Sequence, residues 1–189
     1  ASYDQLLIVG DADGITATAQ AVESADTGGN ASLLYLSTTE VYCPGPGGTS
    51  NTTFGKNAGD ALASGGNYNV FIGEEAGTGI TVSDDNVAIG YNAFFRSTTQ
   101  ADKNVAIGSN AMSGNNTTAD VDSCVVIGYD ALSGTLTTAA DGTIAIGHQA
   151  GKAITSGAEN VAIGYQAADA LDTGASNVVI GYSALGADQ

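Results

Sequence analysis

Along most of this chain the apolar positions obey two periods, one of two residues and one of about eighteen. The stretch Asn86-Val87-Ala88-Ile89-Gly90-Tyr91-Asn92-Ala93 alternates large and small apolar side chains and then turns at a glycine. Versions of it return to the C-terminus. Aligned on that glycine, the series runs Gly55, Gly73, Gly90, Gly108, Gly128, Gly147, Gly164, Gly181, in steps of 18, 17, 18, 20, 19, 17 and 17. The residue before each glycine is large: Phe54, Ile72, Ile89, Ile107, Ile127, Ile146, Ile163 and Ile180. Two places earlier stand Val70, Val87, Val105, Val125, Ile144, Val161 and Val178. Strand side chains alternate faces, so these two columns share a face, expected here to fill the inside of each coil. Between them lie Ala88, Ala106, Ala145 and Ala162, with Phe71, Val126 and Val179 as larger exceptions, so the opposite face is small but still apolar.

Two further columns are as regular. Alanine stands three residues after every glycine, and asparagine opens six of the eight units, with Cys124 and Thr143 in the other two. A second apolar position seven places past the glycine (Leu62, Ile80, Ile154, Leu171) suggests a weaker second strand. Two short strands and two connections in 17–20 residues make one coil of a parallel β-roll or β-solenoid, so the fold class is all-β with about eight coils. At ~4.8 Å per coil, the stack is about 34 Å long. Length varies only between the alanine and the next asparagine, which predicts outward loops at Ser97–Asp102, Gly114–Asp122 and Gly134–Asp141.

Residues 1–46 do not follow the repeat and form a separate N-terminal β cap or docking segment; residues 47–189 form the repeat domain. Within the first, Leu6–Val9, Ile15–Val22 and Ser32–Tyr42 are strand candidates. Cys43-Pro44-Gly45-Pro46-Gly47-Gly48 then interrupts any ladder.

Composition narrows the functions. In 189 residues there are 20 acids against four basic side chains, a formal charge of −16. Binding to nucleic acid or to an anionic membrane surface requires clustered Lys and Arg, which this excess of acid excludes. No run approaches the ~20 apolar residues that span a bilayer, no signal peptide is visible at the N-terminus, and two cysteines give no disulfide framework.

Candidate chemistry is sparse. His148 is the only histidine and takes the place that Tyr91, Tyr129, Tyr165 and Tyr182 hold in other repeats, so it reads as a ladder position and not as a base with a nucleophile beside it. The tyrosine column is a candidate stripe for stacking on a host glycan, set against plain packing between coils. Asp11-x-Asp13-Gly14 and Asp84-Asp85 read as acidic turns, since a calcium loop needs more ligands. Neither enzymatic activity, catalytic residues, cofactor nor metal is expected. An apolar alanine stripe on the outside of a soluble coil marks an interface, which places Ala88, Ala106, Ala145 and Ala162 at the contact of a homotrimer closed around an axis.

The units Asn86–Ala93 and Asn160–Ala167 resemble the repeats in the head domains of trimeric autotransporter adhesins and in tail or capsid fibres of bacteriophages. The resemblance covers roughly residues 50–186 and implies a left-handed parallel β-roll with three chains around one axis. The repeats are longer and less uniform than those of adhesin heads, and no stalk or membrane anchor is visible. The expectation is therefore a structural virion appendage on the virion surface, docked to other virion proteins and presenting loops to a host receptor. A bacterial cell-surface adhesin head is the alternative, and an ice- or sugar-binding solenoid ranks third because the Thr pairs lie in unequal loops.

Overall fold

A computed structural model describes residues 20–22, 34–36, 41–42, 48–95, 100–114, 120–137 and 140–186. The chain divides into two compact units, Ala1–Cys43 and Pro44–Gln189. In the first, β1 (Gln20–Val22), β2 (Leu34–Leu36) and β3 (Val41–Tyr42) form an antiparallel sheet in that order. The expected strand Ser32–Tyr42 is thus two, paired through Tyr35↔Tyr42 and Leu36↔Val41. The candidate Leu6–Val9 lies outside the described residues.

In the second unit, β4 (Thr52–Phe54), β5 (Val70–Ile72), β6 (Val87–Ile89), β7 (Val105–Ile107), β8 (Val125–Ile127), β9 (Ile144–Ile146), β10 (Val161–Ile163) and β11 (Val178–Ile180) form one parallel sheet in sequence order. Every pair is in register, each repeat position on its equivalent in the next coil, as in Val87↔Val105 and Ile89↔Ile107. The chain closes about seven turns of a β-solenoid, and no helix occurs among the described residues. Each turn carries one three-residue strand. The second strand expected at Leu62, Ile80, Ile154 and Leu171 is absent; that wall is irregular backbone, tied between coils by bonds such as Ala63 N–H to Thr81 O (2.7 Å) and Thr137 N–H to Thr155 O (2.7 Å).

The faces of the strand are the reverse of those expected. Ala88, Ala106, Ala145 and Ala162 are wholly buried, as are Phe71 and Val126, while the Val and Ile on either side are only half-buried or exposed. In most coils the strand wall gives only a methyl, with Phe71 and Val126 as its larger members, and the opposite wall supplies the large side chains. A Cβ on Gly151 would lie 3.0 Å from Ile154 Cδ1 and 3.6 Å from both Ala145 Cβ and Leu132 Cδ1, so these groups share one thin interior.

That wall is filled in two ways. Where Gly59, Gly77 or Gly151 follows the repeated alanine, an aliphatic residue three places later (Leu62, Ile80, Ile154) points inward. Where Phe94, Met112 or Leu132 takes the glycine's place, it fills the core itself with positive φ (50°, 54°, 45°) and is fully buried. Left-handed backbone is costly for such residues, and complete burial of a large side chain, worth ~2–3 kcal/mol, offsets it. The three coils built this way are those of 18, 20 and 19 residues, which start at Gly90, Gly108 and Gly128.

Two devices fix the register. The repeated glycines have φ near +135°, and a Cβ on Gly128 would stand 2.3 Å from the carbonyl oxygen of Gly147. No side chain fits there. The asparagines form a buried ladder in which each Oδ1 accepts the backbone N–H of the next: Asn69 from Asn86 (2.9 Å), Asn86 from Asn104 (2.9 Å), Asn104 from Cys124 (2.9 Å). Their Nδ2 groups donate to carbonyls of the connecting segment, as from Asn104 to Val121 O at 2.7 Å. Buried amides and peptide groups that stay satisfied cost nothing, and a shift by one residue would orphan a whole column.

Candidate interaction face

The outward side of β4–β11 is built from two columns of large aliphatic groups. Thr52 is the single polar member among 16 positions, and none of the 20 acids lies in any of these strands. Along the middle of the stack each Val and Ile is partly screened by its neighbours above and below. At the two ends the screen is missing, so Phe54 is 69 % exposed and Val178 72 %. The columns are ~7 Å apart and the stack ~34 Å long. With the tyrosine column that follows the glycines, the surface is on the order of 500 Å², at the upper range for a single apolar patch.

The tyrosine column borders this surface. Tyr91, Tyr129, Tyr165 and Tyr182 are all exposed. Tyr129 stacks on His148 (centroids 5.3 Å apart, 18° between planes), His148 on Tyr165 (4.8 Å, 6°) and Tyr165 on Tyr182 (5.2 Å, 9°). Ring faces inside this run are turned to one another, so the stripe offers edges and hydroxyls there, and a sugar cannot lie flat on Tyr165. His148 is a rung of the ladder between Tyr129 and Tyr165, its Nδ1 buried without a hydrogen-bond partner. The remaining rungs of this column are Lys56 and Glu74, which form an exposed ion pair at 3.2 Å, and Ser109.

On the other side of the strands runs a column of acids. Asp84 Oδ1 accepts the N–H of Asn67 (2.7 Å), Asp102 that of Asp84 (2.8 Å), Asp122 that of Asp102 (2.7 Å) and Asp141 that of Asp122 (3.0 Å). Asp84 thus belongs to a backbone-binding ladder, and among the described residues no group of three His, Cys, Asp or Glu is placed to hold a metal ion. Asp11 and Asp13 lie outside the described residues.

Ala88, Ala106, Ala145 and Ala162 cannot be the subunit contact expected of them, since each is 0 % exposed within its own chain. Of the segments expected to form outward loops, residues 97–99, 115–119 and 138–139 lie outside the described residues. At the described ends, Ala101, Val121, Leu136 and Ala140 are packed in the core. Cys124 replaces one asparagine of the ladder; its Sγ donates to Ala140 O at 3.4 Å, and burial pushes the thiol up to about 11. A thiol so held stays protonated and unreactive.

Comparison of the chain with protein-family models, with curated proteins and with solved structures finds no match.

Proposed function

We propose that this chain is a structural virion appendage, a fibre subunit that assembles as a homotrimer through its outward Val/Ile face and holds connecting segments toward a host surface or neighbouring virion proteins. The observation that carries this reading is the charge-free aliphatic face on a chain of net charge −16. Interfaces are depleted of charge at their centres and enriched in Tyr; this face carries no charge, and tyrosines stand along its edge. About 500 Å² from each of three chains gives ~1,500 Å² in all, or ~500 Å² for each of the three pairwise contacts, smaller than a standard interface between two chains. Three such faces turned to a common axis close the assembly without a sticky end, while the acids remain on the solvent side. The identity as a virion component comes from the resemblance of the octapeptide to phage-fibre repeats.

Antibodies raised against the purified chain provide the test. Gold-labelled antibody is expected on the surface of virus particles in the source material. Labelling confined to bacterial cell surfaces, with bare particles, would replace the virion reading by the adhesin one.

A further inference from the structure

The aromatic column has one missing rung, at Ser109, and we infer that the slot between Tyr91 and Tyr129 binds the apolar face of a sugar ring. Register holds across this part of the column: Asn110 N–H donates to Tyr91 O at 2.9 Å, and Asp130 N–H donates to Ser109 O at 3.1 Å. Tyr91, Ser109 and Tyr129 therefore stand on three successive coils, and the two tyrosines are two coil steps, about 10 Å, apart. Tyr129 already stacks one ring face on His148, so its other face is turned toward Ser109. A serine side chain leaves that space largely unfilled, and both walls are about half exposed (Tyr91 50 %, Tyr129 49 %).

The spacing admits a ring, and the polar rim selects its class. Rungs of this ladder stack with centroids 4.8–5.3 Å apart, and a group inserted midway would have the same ~5 Å to each wall. A pyranose ring, with its axial C–H groups above and below, is that thick. The column's own aromatic rungs stand at that same spacing, so the rim, and not the thickness of the ring, separates a sugar from a flat aromatic group. Polar groups at the rim suit sugar hydroxyls as well. Ser109 supplies a hydroxyl at the base of the slot, and Asn110 Nδ2 bonds Asp130 Oδ1 at 3.1 Å beside it, an amide and a carboxylate with further capacity to donate and accept. The inference deepens the attachment reading, for which it names the class of ligand, and the two fail separately: sugar binding by a monomer would leave the slot standing and remove the trimer.

Saturation-transfer NMR on the intact chain tests it, with methyl β-glucopyranoside and methyl β-galactopyranoside as probes and phenol as the planar control. Transfer from protein to the ring protons of at least one pyranoside is expected, at Kd of roughly 1–10 mM, as befits one ring. Ser109→Tyr fills the rung with the side chain its column carries elsewhere; it is expected to leave the melting temperature unchanged or higher and to abolish the transfer. Tyr129→Ala is expected to weaken binding at least tenfold, and Tyr165→Ala to change it less than twofold. Absence of transfer to either pyranoside, equal transfer in a folded Ser109→Tyr variant, or saturable binding of phenol alone would each overturn the assignment.

Discussion

At the scale of single residues, stability rests on positions where the next coil leaves no room. Gly128→Ala sets a Cβ 2.3 Å from the Gly147 oxygen at φ +138°, and is expected to cost at least ~3 kcal/mol or to prevent folding. Gly181 has the same backbone conformation, but a Cβ there would meet only Ala184 Cβ at 3.7 Å. Gly181→Ala is therefore expected to cost only about 1 kcal/mol, and urea melts of the two variants give the comparison. Cys124 adds a pH dependence. Its thiol titrates near 9 when unfolded and is pushed up to about 11 by burial in the fold. The raised value means that its contribution is fully present below pH 9 and is lost as pH rises from 9 to 11, on the order of 2–3 kcal/mol in all. Urea midpoints at pH 8 and pH 11 are expected to diverge more for the natural chain than for Cys124→Ala, which subtracts every other titration.

At the scale of the element, the unit is one coil and its ladder to the next. Asn104 joins Asn86 Oδ1 to the Cys124 amide and also bonds Val121 O. Asn104→Ala leaves that amide and that carbonyl buried without partners, and is expected to lower stability by about 2–4 kcal/mol. Asn177→Ala, in the last coil where the amide is partly exposed and no following unit draws on its Oδ1 among the described residues, is expected to cost under about 1 kcal/mol. Chemical denaturation of the two settles whether the ladder is cooperative or local. The strands themselves were legible: Val-x-Ile before each glycine fell on β5–β11. Their sidedness was not, because a period of two separates two faces without saying which is inside. Size misled, since Val87 and Ile89 are larger than Ala88, yet Ala88 faces the interior, as do the larger Phe71 and Val126 at the same place in their coils. The signal that would have given the interior sits in the column after the repeated alanine, which holds Gly59, Gly77, Gly151 and the small Ala168 in some coils and Phe94, Met112 and Leu132 in others. A position that swings between a minimal side chain and a bulky apolar one is where a left-handed backbone faces the core.

For the whole molecule, the question is what covers the outward aliphatic face. The stacked rings from Tyr129 to Tyr182 were foreseeable as a column but not as a self-stacked one, because register and ring orientation appear only with coordinates. Ile127 lies in the middle of the face, half-buried in its own chain. Ile127→Asp places a carboxylate there without touching the core, so it is expected to keep the circular dichroism of the natural chain and to lose assembly. Because each chain carries −16, added salt is expected to tighten the natural assembly by screening repulsion. The most direct measurement is sedimentation equilibrium of the natural chain at micromolar concentration. A mass of about 56 kDa, three times the 18.6 kDa of one chain, is expected, falling to 18.6 kDa for Ile127→Asp. A natural chain that stays at 18.6 kDa through that range would contradict the assignment of this face as the contact between copies.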